Sequence, residues 1–178
     1  MEHKVLIAGF GGQGVIVTGT LLAHAAMYAG KNTTFYPAYG IAMRGGMANC
    51  TVVVSDEEIG SPVVAHPTVL IVMNTESLDY FLPRVEEGTI VVVNASLVNK
   101  EADRNDVRPV YVRANDIANE YGDSRMANMA MLGGMIKATG MLPLESVHET
   151  MKKILTGKLA HMLKPNQEVL RKGFDSVK

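Results

Sequence analysis

This sequence has almost no cysteine, and its first third has almost no acidic residues. The 178-residue chain has a single cysteine, Cys50, and no Asp or Glu between His3 and Ser55. One cysteine cannot form an internal disulfide, which indicates a reducing, cytoplasmic setting, and it cannot hold an iron–sulfur cluster, which takes about four thiolates. The net charge of −1 gives no electrostatic case for a nucleic acid or an anionic membrane as a partner.

Long apolar runs are also missing. No segment approaches the roughly 20 apolar residues of a membrane span, and Gly9 to Gly14 interrupt any signal-peptide core near the N-terminus. The 47% of hydrophobic and 20% of charged residues are typical of a globular protein. We therefore expect a soluble protein with one domain, residues 1–178.

The charges are unevenly spread along the chain. Thirteen of the 18 acidic residues but only five Lys or Arg lie between Asp56 and Asp123. The acid-free N-terminal third suits an anion-binding face. It equally suits a buried strand–helix–strand unit that excludes charges of either sign, and the sequence leaves both interpretations open.

Strand and helix patterns alternate through the first two thirds of the chain. Six β-branched runs predict strands near residues 5–8, 33–36, 51–54, 69–73, 90–93 and 110–112, and several are apolar at successive positions, as in parallel strands buried on both faces. Helices are predicted at 14–29, 76–85, 114–121, 124–139, 143–155 and 165–177. The order predicts a three-layer α/β/α sandwich with a mostly parallel sheet and a Rossmann-like glycine loop after the first strand.

That glycine loop is Gly9-Phe10-Gly11-Gly12-Gln13-Gly14. Glycines permit a tight turn and let an anion approach the free amides of the helix that follows, so a phosphate is the expected ligand. A nicotinamide or flavin dinucleotide usually needs an acid about 20 residues further on, yet no acid appears before Asp56, and only Lys31 is near for a 2′-phosphate. A purely structural turn is the other open interpretation.

A second glycine-rich segment runs from Tyr36 to Cys50 and carries one guanidinium, Arg44. If the second strand were adjacent and parallel to the first, this connection would emerge beside the Gly9 loop at the carboxyl edge of the sheet, where open α/β sheets bind ligands. Arg44 would then bind a phosphate or carboxylate; a salt bridge to another domain or subunit is the alternative.

Other residues have competing interpretations. The position of Cys50 beside a predicted strand favours a buried, inert thiol over a nucleophile. Asn74 and Ser77 follow a strand at the ligand edge and favour helix capping over ligand contact. The five histidines lack metal-ligand spacing, and His148 and His161 are expected on the surface. Four methionines beside a glycine pair favour core packing over a partner-facing helix: Met126, Met129, Met131 and Met135.

Taken together, the segments resemble the gamma subunit of 2-oxoacid:ferredoxin (acceptor) oxidoreductases. The motifs that carry the resemblance cover almost the whole chain and lie at residues 9–15, 37–40, 43–50, 55–62, 73–78, 93–98, 115–118 and 127–134. The segments Met-Arg-Gly-Gly-Met-Ala-Asn-Cys and Ile-Gly-Ser-Pro are most similar to gamma subunits of the 2-oxoglutarate type. The resemblance therefore implies 2-oxoglutarate as the first candidate substrate and branched-chain 2-oxoacids as the second. One departure is Ile41-Ala42, where relatives of that type carry Pro-Glu.

The resemblance implies a subunit of an enzyme that converts a 2-oxoacid and coenzyme A to acyl-coenzyme A, CO2 and reduced ferredoxin. Its partners would be alpha and beta subunits with thiamine diphosphate and Mg2+, a ferredoxin-like delta subunit, and ferredoxin itself, with [4Fe-4S] clusters on the partners. The isolated chain is expected to be non-catalytic and could form a homodimer. The cofactor-binding candidates, with no catalytic or metal-binding residue, are Gly9, Gly11, Gly12, Gln13, Gly14, Tyr39, Gly40, Arg44, Gly45, Gly46 and Asn74.

Two other functions remain open at this level. One is a stand-alone NAD(P)-dependent reductase, which the missing acid after the second strand disfavours. The other is a regulatory module that binds coenzyme A or an adenine nucleotide, which differs from a gamma subunit only in its partners.

Overall fold

The architecture is that of a six-stranded sheet with helices on both faces. A computed structural model describes residues 1–39 and 46–178. The strands are β1 (Glu2–Phe10), β2 (Asn32–Tyr39), β3 (Met47–Ser55), β4 (Val69–Val72), β5 (Ile90–Asn94) and β6 (Arg108–Val112). The helices are α1 (Val15–Tyr28), α2 (Thr75–Phe81), α3 (Ala114–Glu120), α4 (Ala127–Thr139), α5 (Leu144–Ile154) and α6 (Leu163–Asp175), and 3₁₀ turns span Leu82–Arg84, Ser124–Met126 and Gly157–Met162.

The strand order is β2-β3-β1-β4-β5-β6. The pairs β1–β4, β4–β5 and β5–β6 are parallel, whereas β3 runs antiparallel to both β1 and β2. The predicted α/β fold with a mostly parallel sheet is therefore confirmed. The expectation that β2 lies beside β1 is wrong, because β3 occupies that place.

A physical reason for the antiparallel pair lies in the length of the connection. Only seven residues separate Tyr39 from Met47, and a parallel crossover needs about a dozen or more. The chain therefore turns back on itself, and β3 enters the sheet reversed between β2 and β1.

The two faces of the sheet are covered unequally. Val5 and Ile7 of β1 face a large apolar cluster formed with the helix layer α1, α3, α4, α5 and α6. Leu6 faces a smaller cluster formed with α2 and the segment after β5. The alternation of side chains along β1 thus separates one thick helical layer from one thin layer.

Helix α4 lies at the centre of the thick layer. All four methionines predicted to be core residues are buried, at most 4% exposed, as the favoured core-packing interpretation expects. Close packing depends on Gly133 and Gly173, where a Cβ would lie 2.0 Å from the Leu170 oxygen and 2.1 Å from the Ala130 oxygen. The two glycines let the backbones of α4 and α6 touch.

Among the described residues, no helix has the length and apolar character needed to cross a membrane.

Candidate functional site at the carboxyl edge of the sheet

The glycine loop joins β1 to α1 at the carboxyl edge of the sheet. Gly12 and Gly14 have φ angles of 100° and 76°, a conformation that a side chain would strain by about 1–2 kcal/mol. Gly14 is the N-cap of α1, and no side chain of the described residues caps the helix. The first intrahelical bond in the described chain runs from the Thr18 amide to the Gly14 oxygen at 2.9 Å, which leaves the amides of the first turn for an external acceptor.

The charge around this helix end also suits an anion. The first turn of α1 contains no acidic residue, so no carboxylate of this turn competes with an anion for the positive end of the helix dipole. The loop therefore has the local geometry and electrostatics of a phosphate or carboxylate site.

Gln13 fixes the loop to the neighbouring strand. Its Oε1 accepts hydrogen bonds from the Phe10 amide at 2.7 Å and from Asn74 Nδ2 at 2.8 Å. Asn74 Oδ1 in turn accepts the Ser77 amide at 2.8 Å and caps α2. The favoured capping interpretation of Asn74 is thus the observed one, and Asn74 is only 5% exposed. Gln13 and Asn74, which were both predicted to contact a ligand, thus use their side chains to hold the ends of β1 and β4 together.

The glycines of the loop divide into two kinds. A Cβ on Gly9 would lie 2.9 Å from the Met73 Cβ, and one on Gly14 would lie 2.4 Å from Asn128 Nδ2, so these two glycines serve close packing. Around Gly12 no heavy atom lies within 4 Å of such a Cβ in the described chain. The open, exposed part of the loop is therefore at Gly12, the position that a ligand would approach.

Two crevices meet at Gly12. One, of about 280 Å³, is lined by Phe10, Gly11, Gly12, Gly14, Val15, Ile16, Val17 and Ala48. The other, of about 150 Å³, is more polar and is lined by Gly12, Gln13, Met73, Asn115, Ser124, Arg125 and Ala127. The second lies where β1 and β4 diverge, because β1 leads through α1 to one side of the sheet and β4 leads through α2 to the other.

The polar side chains that line the second crevice were not predicted as site residues. Asn115 is held by Asn94 Nδ2 at 2.8 Å, and its amide donates to Ser96 Oγ at 3.1 Å. Arg125 binds Asp123 in a two-pronged ion pair, which lowers the pKa of the Asp123 carboxyl. The signal was present, since Asn115 lies three residues after the end of a predicted strand, in the first turn of the next helix.

The second glycine-rich segment reaches the loop despite the unexpected strand order. The Gly11 amide donates to the Gly46 oxygen at 3.1 Å, and Tyr39 pairs with Ala48 while Phe10 pairs with Met47. The connection therefore starts and ends at the same edge as the loop. The predicted contacts Gly40, Arg44 and Gly45, and the departure at Ile41-Ala42, lie outside the described residues.

Cys50 and His148 are both buried. Burial raises the pKa of the Cys50 thiol to about 12, and its sulfur lies 3.5 Å from the Val15 oxygen under α1, so the nucleophile interpretation is wrong. His148 is 9% exposed, which corrects its expected surface position; burial lowers its pKa. Within residues 1–39 and 46–178, no three His, Cys, Asp or Glu side chains converge as metal ligands would.

The sequence is similar to known subunits of 2-oxoacid oxidoreductases. A family model described as pyruvate ferredoxin/flavodoxin oxidoreductase matches residues 4–176. Ketoisovalerate oxidoreductase subunit VorA of Methanothermobacter marburgensis is 43% identical over 98% of this chain and 36% of VorA. The chain thus spans about a third of the length of that relative. The 2-oxoglutarate synthase subunit KorC of the same organism is 35% identical over 85% of this chain and 86% of KorC.

A solved structure has the same architecture from end to end. The gamma subunit of keto/oxoacid ferredoxin oxidoreductase from Geobacter sulfurreducens has a TM-score of 0.84 and 26% identity, with 98% of this chain and 97% of that chain covered. The fold described above is therefore shared over nearly its full length with a chain that is named a gamma subunit.

Proposed function

The chain belongs to the pyruvate ferredoxin/flavodoxin oxidoreductase family, and we propose that it is the gamma subunit of a multi-subunit 2-oxoacid:ferredoxin oxidoreductase. The complex would convert a 2-oxoacid and coenzyme A to acyl-coenzyme A and CO2, and pass two electrons to ferredoxin. The observation that carries the proposal is the end-to-end likeness to a chain that is itself a gamma subunit, with 98% and 97% of the two chains covered.

In this proposal the chain supplies a binding surface and its partners supply the redox chemistry. Thiamine diphosphate with Mg2+ and the [4Fe-4S] clusters would be held by alpha, beta and delta subunits, and thiamine diphosphate would provide the decarboxylation chemistry there. The contribution of this chain is to pack on those subunits and to frame the coenzyme A side of the site.

The glycine loop fits the phosphates of coenzyme A. Its uncapped amides and acid-free first turn favour an anion, and the backbone at Gly12 is open. The polar crevice beside it offers the side chains of Asn115, Ser124 and Arg125. These features support an anionic group at the loop, with the ion pair between Arg125 and Asp123 at its edge.

Two substrate classes are supported by different observations. Sequence motifs favour 2-oxoglutarate, whereas the identity with the ketoisovalerate subunit, 43%, exceeds that with the 2-oxoglutarate subunit, 35%. We infer a 2-oxoacid as substrate in either case. The ratio of kcat/KM for 2-oxoglutarate and for 3-methyl-2-oxobutanoate, measured on the purified complex, decides between them.

Co-purification is the test of the proposed assembly. A tagged chain expressed in its native host should recover chains that contain thiamine diphosphate and iron–sulfur clusters, with coenzyme A-dependent oxidation of a 2-oxoacid. Recovery of the chain alone, or reduction of a substrate by the isolated chain with NAD(P)H, would contradict it. Binding of coenzyme A by a chain that recovers no partner would instead indicate the regulatory module.

Arg44 can be tested separately. Calorimetry of coenzyme A with the assembled complex should show weaker binding for Arg44→Ala than for wild type, because a guanidinium that binds phosphate contributes a charge-assisted hydrogen bond. Equal affinities would remove Arg44 from the site and leave the assembly proposal intact.

A further inference from the structure

An apolar groove runs along the outer side of the thick helical layer. It encloses about 280 Å³ between α1 and α5 and is lined by Ile16, Val17, Thr20, Leu21, Met129, Met151, Ile154, Leu155 and Asn166. Val17 is 60% and Ile154 39% exposed. Because Ile16 and Val17 also line the crevice beside the glycine loop, the groove opens on the same side of the molecule as that loop.

Helix α1 has an unusual composition for a surface helix. Its 14 residues include no charged side chain, yet Val17, Met27 and Tyr28 are each at least 48% exposed. A helix that is apolar all round is normally covered on all sides. Residues 1–39 and 46–178 cover only one side of α1, which indicates that a partner covers the other side.

The electrostatics of the groove specify the character of that partner. All nine lining residues come from three segments that contain no Asp or Glu, namely 3–55, 124–144 and 150–167. Residues 150–167 carry four lysines, of which Lys152 pairs with Glu149 and Lys164 with Glu168. Lys153 of α5 lies over the Tyr28 ring at the end of α1, 3.8 Å from its centre, so a cation borders the two helices that form the groove. Neither Lys153 nor Lys158 has a carboxylate within 4.0 Å in the part of the chain that the structure describes. An apolar groove bordered by the cation of Lys153 suits an apolar segment flanked by carboxylates.

We propose that the groove between α1 and α5 is the docking surface for a companion subunit, which inserts an apolar segment with acidic flanks. The proposal rests on the proposed function, because it names the surface that the gamma subunit uses. A symmetric pair of copies that met through this groove would bring Lys153 of both copies to one interface, so like charges oppose that occupant.

Matched valine variants test the surface. Val17→Asp places a carboxylate in the groove, and Val63→Asp places one at a site that is 67% exposed and lined by residues of the opposite face of the sheet. In co-purification from the native host, Val17→Asp should lower recovery of the companion chains at least tenfold, whereas Val63→Asp should match wild type. Lys153→Glu with Lys158→Glu should lower recovery further as ionic strength falls. The melting temperature of each isolated variant checks folding.

The outcomes separate this inference from the proposal beneath it. If wild type recovers its companions and Val17→Asp recovers them equally, the groove is not the docking surface, while the gamma-subunit function stands. If Val63→Asp alone loses the companions, the opposite face is the interface. If wild type recovers no companion, the proposed function fails first. A shift of wild type to a dimer that Val17→Asp abolishes would assign the groove to a second copy.

Discussion

Two glycine-rich places in this molecule use the same residue in opposite ways. At the crossing of α4 and α6, a Cβ on Gly133 would lie 2.0 Å from a backbone oxygen. At Gly12 in the loop before α1, a Cβ would meet no described atom within 4 Å, but φ is 100°. The first glycine is needed for packing and the second for backbone conformation, so a glycine count alone does not identify a binding loop.

A substitution at the crossing of α4 and α6 should give the largest loss of stability. Gly133→Ala forces α4 and α6 apart, and overpacking of a core costs about 1–3 kcal/mol and occasionally more, which lowers the melting temperature by roughly 2–4 °C per kcal/mol in a chain of this size. Gly60→Ala is the matched control, since its Cβ would lie in open space without a positive φ. A Gly133→Ala protein that melts with wild type would show that the two backbones are not in contact.

The hydrogen bonds of Gln13 give a smaller effect on stability. Gln13→Ala leaves the Phe10 amide and the Asn74 side chain without their acceptor. Because both bonds are only partly buried, we expect a cost of about 0.5–1.5 kcal/mol in denaturant unfolding. Gln13→Glu keeps both acceptor positions and adds a negative charge beside the loop. We expect it to unfold close to wild type but to bind anions more weakly. Equal losses of stability in both variants would contradict the bonding role.

The buried helical layer should also respond to acid, and the open loop should not. Burial lowers the pKa of His148, while Glu145 on the same helix opposes the shift and Arg171 of α6 and Lys152 reinforce it. Because the folded state binds this proton less readily than the unfolded state, stability is full above the unfolded pKa of about 6.5 and falls as the pH drops through it.

Melting temperatures between pH 7.5 and 5.5 check this claim. His148→Met should flatten part of the decline, with the remainder including His3, whose pKa burial also lowers. The exposed His161 replaced by Gln is the control and should keep the wild-type decline. An unchanged slope in His148→Met would place the titration elsewhere.

The positions of the strands and helices along the chain were predicted well, but the order of the strands in the sheet was not. All six strands and all six helices were expected near their observed positions, because β-branched runs and helical spacing are local signals. The insertion of β3 between β2 and β1 is a long-range event, and only the seven-residue connection hinted at it. His148 was misjudged because its helix face could not be assigned before the position of α6 was known.

The candidate site was predicted in part. The Gly9–Gly14 loop and the capping by Asn74 followed from motifs at strand ends. The approach of the second glycine-rich segment to the loop was expected from a strand order that is wrong, and the contact of Gly46 arises through β3 instead. The polar crevice with Asn115, Ser124 and Arg125 did not follow from such motifs, because these residues come from segments more than 100 positions after the loop. Only the parallel pairing from β1 through β4 and β5 to β6, which gathers the carboxyl ends of these strands, brings the segments after β6 to the same edge as the loop.

Coenzyme A binding by the assembled complex tests the central claim most directly, namely that the open glycine loop is an anion site rather than a packing device. Calorimetry on the wild-type complex and on one with Gly12→Ala should show an affinity lower by roughly tenfold, as expected for about 1.4 kcal/mol of strain or lost contact. The companion subunits should still be recovered. Equal affinity in both complexes would contradict the claim and leave the loop as a structural turn.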